Sequence, residues 1–207
     1  MKRFPLQSIL RILGPFCDAA HRIGLTLLLI VAFHQRGQSA EAPSRSPESP
    51  QAFEVGPANV DLLPRGKEAD GILGDFVLRN ARVELVISHN APLRRANMST
   101  FYGTNGITPG CLFDLTLRGA DNDQIVIFCP LRQRGTVSSV RISRDGQDGV
   151  AEVETETAAV RNQGLFVRHA YQLAGDDQGL RIVSTIRNES KEPRRVEVSD
   201  QWTQFAR

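Results

Sequence analysis

The feature that most constrains the fold is a succession of short apolar segments separated by clusters of glycine, aspartate and asparagine. In Arg82–Ser88, the apolar residues Val83, Leu85 and Ile87 recur at every second position, which is the spacing of a strand with one buried face. No segment of the body combines a helical period with helix caps. Many short strands joined by turn-rich links predict an all-β fold, and we expect an antiparallel β-sandwich.

The turn clusters divide the body into nine predicted strands. The first two flank Asn80-Ala81, which we predict to be the turn of a β-hairpin. The nine segments are Asp75–Arg79, Arg82–Ser88, Cys111–Leu117, Gln124–Cys129, Thr136–Ser143, Val150–Glu156, Leu165–Leu173, Leu180–Asn188 and Arg194–Asp200.

The N-terminal segment has the organisation of a secretory signal peptide. The apolar run Ile23–Phe33 has 11 residues, fewer than the roughly 20 that a membrane-spanning helix needs. Basic residues precede the run and small residues follow it, as in a cleavable export signal. We therefore predict a helical signal peptide over residues 1–40, cleaved after Ser39 or Ala40. The basic residues are Lys2, Arg3, Arg11 and Arg22, and the small ones begin at Gly37.

Export has consequences for localisation and charge. The mature protein is expected to be periplasmic or extracellular; the alternative is a membrane anchor formed by residues 23–33 if they stay uncleaved. The leader holds five of the 25 basic residues and one of the 23 acidic residues. Its removal leaves 20 basic and 22 acidic residues, a net charge of −2. Such a nearly neutral body does not indicate nucleic-acid binding. Membrane contact is expected only through the uncleaved segment.

A linker separates the leader from the body. The stretch Glu41–Gln51 is rich in proline, serine and charged residues and has too little apolar surface to order itself. We predict a disordered linker over residues 41–53 and one β-sandwich domain over residues 54–207. A further expectation is that this domain is incomplete at its C-terminal end. A free-standing module and the front part of a longer or split gene product are both alternatives.

Two cysteines remain once the leader, with Cys17, is removed. Cys111 begins one predicted strand and Cys129 ends the next, and pairing Leu117 with Asp123 would place the two cysteines opposite each other. Directly opposed residues lie close enough for a disulfide after a small adjustment. The sequence leaves two alternatives, a disulfide in an oxidising compartment or two small buried thiols.

The best candidate for a binding site is the long loop His89–Gly110. Loops of this length in compact domains are usually functional or disordered. An aromatic side chain beside several polar groups is typical of carbohydrate and anion sites. The alternative is a loop that packs over one end of the sandwich with its arginines in solvent. The candidate ligand-binding residues are His89, Arg94, Arg95, Asn97 and Tyr102.

The sequence contains no recognisable catalytic or metal-binding motif. His89 and His169 are the only histidines of the body, and neither belongs to a pattern with the spacing of metal ligands. No nucleophile elbow or phosphate-binding loop is present. We therefore expect a protein that is not an enzyme and has no metal or other cofactor.

Four stretches carry a resemblance to known families. Gly74–Ser88, Ala96–Thr100 and Cys111–Pro130 resemble the N-terminal β region of large exported bacterial proteins, typical of planctomycetes. In those proteins a metallohydrolase domain of the polymerase and histidinol phosphatase (PHP) type follows. Val167–Ser190 is similar to strands of the galactose-mutarotase-like supersandwich. The resemblance implies a supersandwich-like fold, but the histidine-rich metal motifs of the hydrolases are absent.

These observations favour an exported, non-catalytic β-sandwich module with an accessory or ligand-binding role. Carbohydrate is the expected ligand class, and a separate catalytic domain is the other expected partner. One alternative is a mutarotase- or lyase-like carbohydrate-active enzyme that uses His89 or His169. Another is the N-terminal fragment of a longer metallohydrolase.

Overall fold

The protein, described here from a computed structural model, consists of two β-sheets. The structure describes residues 9–13, 49–66, 69–89, 109–122, 125–132 and 137–204. Within these ranges it contains strands and short 3-10 turns but no α-helix, so the all-β prediction is confirmed. One sheet has five strands in the order β1-β10-β9-β8-β7, and the other has six in the order β11-β6-β5-β4-β3-β2.

All pairings within the two sheets are antiparallel except that of β1 with β10. The strands are β1 (Ile9–Leu13), β2 (Gln51–Glu54), β3 (Phe76–Arg79), β4 (Val83–Ile87), β5 (Leu112–Leu117), β6 (Ile125–Cys129), β7 (Ser139–Asp145), β8 (Val150–Thr157), β9 (Leu165–Ala174), β10 (Arg181–Asn188) and β11 (Gln201–Gln204).

The main hydrophobic core lies between the two sheets. The six-stranded sheet contributes Leu78 and Leu85, and the five-stranded sheet contributes Val153 and Leu173, all four fully buried. Burial of apolar side chains from facing sheets is the main stabilising term of a sandwich. Beyond this core, Val167 and Ile186 form a smaller cluster, against which Leu131, Leu165 and Val196 pack.

Asn80 connects the two sheets at one end of the sandwich. The predicted hairpin turn is confirmed, because Asn80 Oδ1 accepts the N–H groups of Arg82 and Val83 at 2.8 and 2.9 Å. The Nδ2 group of the same side chain donates to the carbonyls of Ala174 and Asp177 at 2.8 and 2.9 Å. Ala174 ends β9 and Asp177 lies in the β9–β10 link of the other sheet, so one buried amide fastens both turns.

The C-terminal strand lies later than the sequence predicts. Arg194–Asp200 is not a strand, and β11 follows it and pairs with β6, placing Trp202 opposite Phe128. Val196 packs on the smaller cluster, whereas Val198 is exposed. The alternating valines therefore reflect one buried contact, not a paired strand.

The domain also begins earlier than predicted. Gln51–Glu54 pairs with β3, so residues 51–53 of the predicted linker belong to the six-stranded sheet. The carbonyl oxygen of Pro50 lies 1.8 Å from where a Cβ on Gly146 would stand, and Gly146 has a φ of +105°. Only glycine allows the β7–β8 turn to approach the start of β2 this closely.

The leader is described only in part. Ile9–Leu13 forms β1, parallel to β10 from Ile9 opposite Val183 to Leu13 opposite Arg187. The sequence assigned these residues to the basic part of a signal peptide and predicted no strand there. The apolar run at 23–33 and residues 41–48 of the linker lie outside the described residues. Among the residues that are described, no helix is long and apolar enough to cross a membrane.

Candidate functional site

The structure describes the two ends of the predicted binding loop. His89 follows β4, and Gly110 precedes β5, so both ends leave the same end of the six-stranded sheet. The other predicted ligand-binding residues, Arg94, Arg95, Asn97 and Tyr102, lie outside the described residues.

Asp75 fastens the first end of the loop. Its buried carboxylate accepts the backbone N–H of His89 on Oδ1 and that of Ile72 on Oδ2, each at 2.9 Å. The imidazole Nε2 of His89 lies 3.9 Å from Asp75 Oδ1, and the His89 side chain is 20% exposed. A carboxylate beside a partly exposed imidazole can orient the ring.

A second group of contacts, which we call the β5 anchor, fastens the other end. It consists of Ser88, Gly110, Cys111 and Tyr171. Ser88 exchanges backbone hydrogen bonds with Gly110 and Cys111, and its Oγ accepts the Cys111 N–H at 3.1 Å. The Tyr171 hydroxyl, from the opposite sheet, donates to the Gly110 carbonyl at 2.9 Å. Burial raises the pKa of the Tyr171 phenol well above its usual value, so the phenol stays a donor.

The two cysteines of the body lie together, as the predicted register requires. Leu112 of β5 pairs with Phe128 of β6, which places Cys111 opposite Cys129. Their sulfur atoms are 3.0 Å apart and both side chains are buried. That separation is longer than the roughly 2.05 Å of a disulfide, so the two sulfurs are in contact but not bonded to each other in this structure.

His169 is buried in the interior and lacks the solvent access that a catalytic histidine needs. It is on β9 between Thr155 of β8 and Ser184 of β10 and is 3% exposed. Its Nδ1 lies 2.8 Å from Ser184 Oγ, while its Nε2 and Thr155 Oγ1 have no hydrogen-bond partner among the described residues. Burial lowers the pKa of the imidazole from 6.5 to about 4, so the ring is neutral near pH 7.

Two buried carboxylates beneath this end of the sheet, Asp114 and Asp75, were not among the residues predicted from the sequence. Asp114 is fully buried in β5, and it accepts the N–H groups of Asp70 and Gly71 at 3.0 to 3.2 Å. With Asp75 it holds the segment 70–75 against the strands. A signal was present, since Asp114 stands among apolar residues in the LFDLTL segment. A carboxylate in such a strand needs hydrogen-bond donors.

Two further clusters contribute structure. Glu154 forms ion pairs with Arg141 and Arg168, and these two pairs link β7, β8 and β9 on one face of the sheet. Trp202 is 39% exposed and meets Phe128 edge to face at a centroid distance of 6.1 Å.

Among the described residues, no group of three or more histidine, cysteine, aspartate or glutamate side chains could hold a metal ion.

Comparison with known proteins adds no relative. No family model, no curated protein and no solved structure matches the chain. The resemblance to exported PHP-type proteins and to the supersandwich therefore stays a prediction, and the function has to be argued from the site.

Proposed function

We propose that the protein is an exported, non-catalytic β-sandwich module that binds a carbohydrate through the loop His89–Gly110. The observation that carries the proposal is the double fastening of this loop. Asp75 holds its first end, and Tyr171 reaches across from the opposite sheet to hold its last residue. Loops held on a rigid scaffold are the usual carriers of binding residues.

The residue types of the loop suit a sugar, and an acidic sugar in particular. Arg94 and Arg95 supply planar groups of donors that match a carboxylate or sulfate. Asn97 can both donate to and accept from hydroxyl groups, and Tyr102 offers an aromatic face with a polar edge. At this end of the sheet the buried carboxylates of Asp75 and Asp114 accept backbone N–H groups, which supports a role in holding the loop ends.

Export is the second element of the proposal. It rests on the order of basic, apolar and small residues in the leader, and an oxidised state of Cys111 and Cys129 would follow from it. N-terminal sequencing of the protein from its host tests it. We expect a mature chain that begins at Ala40 or Glu41, found outside the cytoplasm. A cytoplasmic chain that begins at Met1 would contradict export.

The adjacent arginines give a direct test of binding. We expect the double substitution Arg94→Ala, Arg95→Ala to weaken binding of an acidic oligosaccharide such as a polyuronate fragment about 10- to 100-fold, because two charge-assisted contacts are lost. The oligosaccharide is first selected on a glycan array and then measured by calorimetry. Circular dichroism and the melting temperature of the variant are compared with those of the wild type, so that a loss of fold is distinguished from a loss of binding.

The chain provides a matched control for this double substitution. Arg194 and Arg195 are also adjacent and both are exposed, but they lie outside the loop. Replacing them by alanine removes the same charge and should leave the affinity within about twofold. Equal losses in the two variants would indicate nonspecific charge attraction, and retention of no glycan by the wild-type protein would reject the carbohydrate proposal.

A second candidate function is a mutarotase- or lyase-like activity that uses His89. The observation that favours it is the Asp75 carboxylate beside the partly exposed imidazole, the arrangement by which enzymes orient a general base. Turnover of aldoses and polyuronates by wild type and His89→Gln separates the candidates. Activity lost in the variant would replace the binding proposal, whereas no turnover by wild type rejects this alternative.

A further inference from the structure

We propose that Cys111 and Cys129 form a disulfide that acts as a redox-controlled clamp on the β5 anchor. The inference deepens the proposed function and rests on its export element, because export supplies the oxidising compartment. The two sulfurs are already 3.0 Å apart, and the side chains are 1% and 0% exposed. A movement of about 1 Å would bring them to bonding distance.

The position of the pair determines what the bond would control. Cys111 is itself part of the β5 anchor. Its N–H donates to Ser88 Oγ, and its carbonyl oxygen accepts the Ser88 N–H. Cys129 ends β6 and pairs with Gln201 of β11. A disulfide would therefore join Cys111, the residue that follows the loop, to β6. This strand pairs with β11 at the edge of the six-stranded sheet.

The position of the cysteines in the pairing of β5 with β6 shows which part of the sheet a covalent link would stabilise. Leu112 of β5 lies opposite Phe128 of β6, directly next to the cysteines. Cys111 and Cys129 also cluster with Ile127, away from the main core. A covalent link between the two strands at this end is expected to make local opening rarer in the oxidised protein than in the reduced one.

The chemistry is a thiol–disulfide exchange with a small-molecule disulfide or a disulfide-carrying oxidoreductase as oxidant. One cysteine thiolate attacks the oxidant and releases a thiol, which gives a mixed disulfide. The second thiolate then attacks the protein sulfur of the mixed disulfide and releases the second thiol. The protein loses two electrons and two protons, and the oxidant gains them as two thiols. Burial of both sulfurs means that exchange proceeds from the locally opened strand end.

Mass spectrometry and hydrogen exchange test the clamp on the full-length protein with Cys17→Ser, which leaves Cys111 and Cys129 as its two cysteines. Oxidised glutathione should lower the intact mass by about 2 Da, and a linked peptide should contain Cys111 and Cys129. Exchange of the Gly110 and Cys111 amides should then be at least about tenfold slower than in the reduced protein. The melting temperature should fall by roughly 5–10 °C on reduction, as expected for a closed loop of this length.

The variant Cys111→Ala, Cys129→Ala is the control, and its melting temperature and amide exchange should not respond to reductant. Two alkylatable thiols after oxidant treatment of the Cys17→Ser protein would overturn the disulfide. A linked peptide with unchanged exchange at Gly110 and Cys111 would overturn the clamp. Neither readout involves a sugar, and the oxidation is carried out in vitro, so failure here is distinguishable from failure of binding or of export.

Discussion

Replacing Asn80 by alanine is expected to lower the free energy of unfolding by about 3 kcal/mol or more. The side chain is fully buried and makes four hydrogen bonds, two to N–H groups of its own turn and two to the carbonyls of Ala174 and Asp177. The substitution leaves these four backbone groups without their partner at a position where the side chain is fully buried. Urea denaturation followed by fluorescence measures the loss.

Two comparisons identify the cause of that loss. Asn59 also bonds to N–H and carbonyl groups of its own turn, at Gly56 and Glu54, but it is only half-buried. Water can replace those bonds, so Asn59→Ala should cost about 1 kcal/mol or less. Asn80→Asp keeps the acceptor and removes the donor, and should cost nearly as much as Asn80→Ala. Equal costs at positions 59 and 80 would contradict the bridging role of Asn80.

The second large effect is acid destabilisation through His169. Burial lowers the pKa of its imidazole from 6.5 to about 4. Between these values the unfolded chain binds a proton that the folded chain does not, so stability falls as the pH falls. The total loss from this group is about 3 kcal/mol, complete below about pH 4. Urea unfolding at half-unit steps of pH measures the slope.

The slope of the unfolding free energy against pH, rather than its absolute value, tests whether His169 causes the acid destabilisation. His169→Leu removes the titrating group, so the part of the slope between pH 6.5 and 4 that belongs to it should disappear. His89→Leu is the matched control, because the His89 side chain is 20% exposed whereas His169 is 3% exposed. If the wild type and His169→Leu lose stability in parallel over this range, another group is responsible.

The sequence predicted those parts of the fold that depend on local pattern. Alternation of apolar residues located β4 and its neighbours because a strand with one buried face has a period of two. The Asn80-Ala81 turn was predictable because asparagine can bond to the backbone two residues on. The opposition of Cys111 and Cys129 followed from pairing two apolar faces across a short link.

The missing elements depend on contacts distant in sequence. β2 stands at the edge of a proline- and serine-rich stretch, and it becomes a strand only because β3 offers an edge to pair with. β11 is specified by β6, and the composition around Trp202 gives little sign of it. Strand preference at such positions comes mostly from neighbours in space, which no local window contains.

The same division applies to the candidate site. The loop His89–Gly110 was recognisable from its length and residue types, and two histidines were recognisable as titratable groups. That His169 is interior while His89 lies beside Asp75 depends on which face each strand presents after the sheets assemble. The roles of Asp75 and Tyr171 as supports of the loop ends depend on contacts between separate strands, so only the structure shows them.

The pairing of β11 with β6 sets the order in which the domain can assemble. The chain leaves the six-stranded sheet after Cys129, builds β7 to β10 in the other sheet, and returns at Gln201. Closing a segment this long costs chain entropy before any contact repays it. We therefore expect β6 to remain an open edge until the last part of the chain is available. Docking of β11 would then be a slow, late folding step, and a chain stalled before it would expose β6 to aggregation.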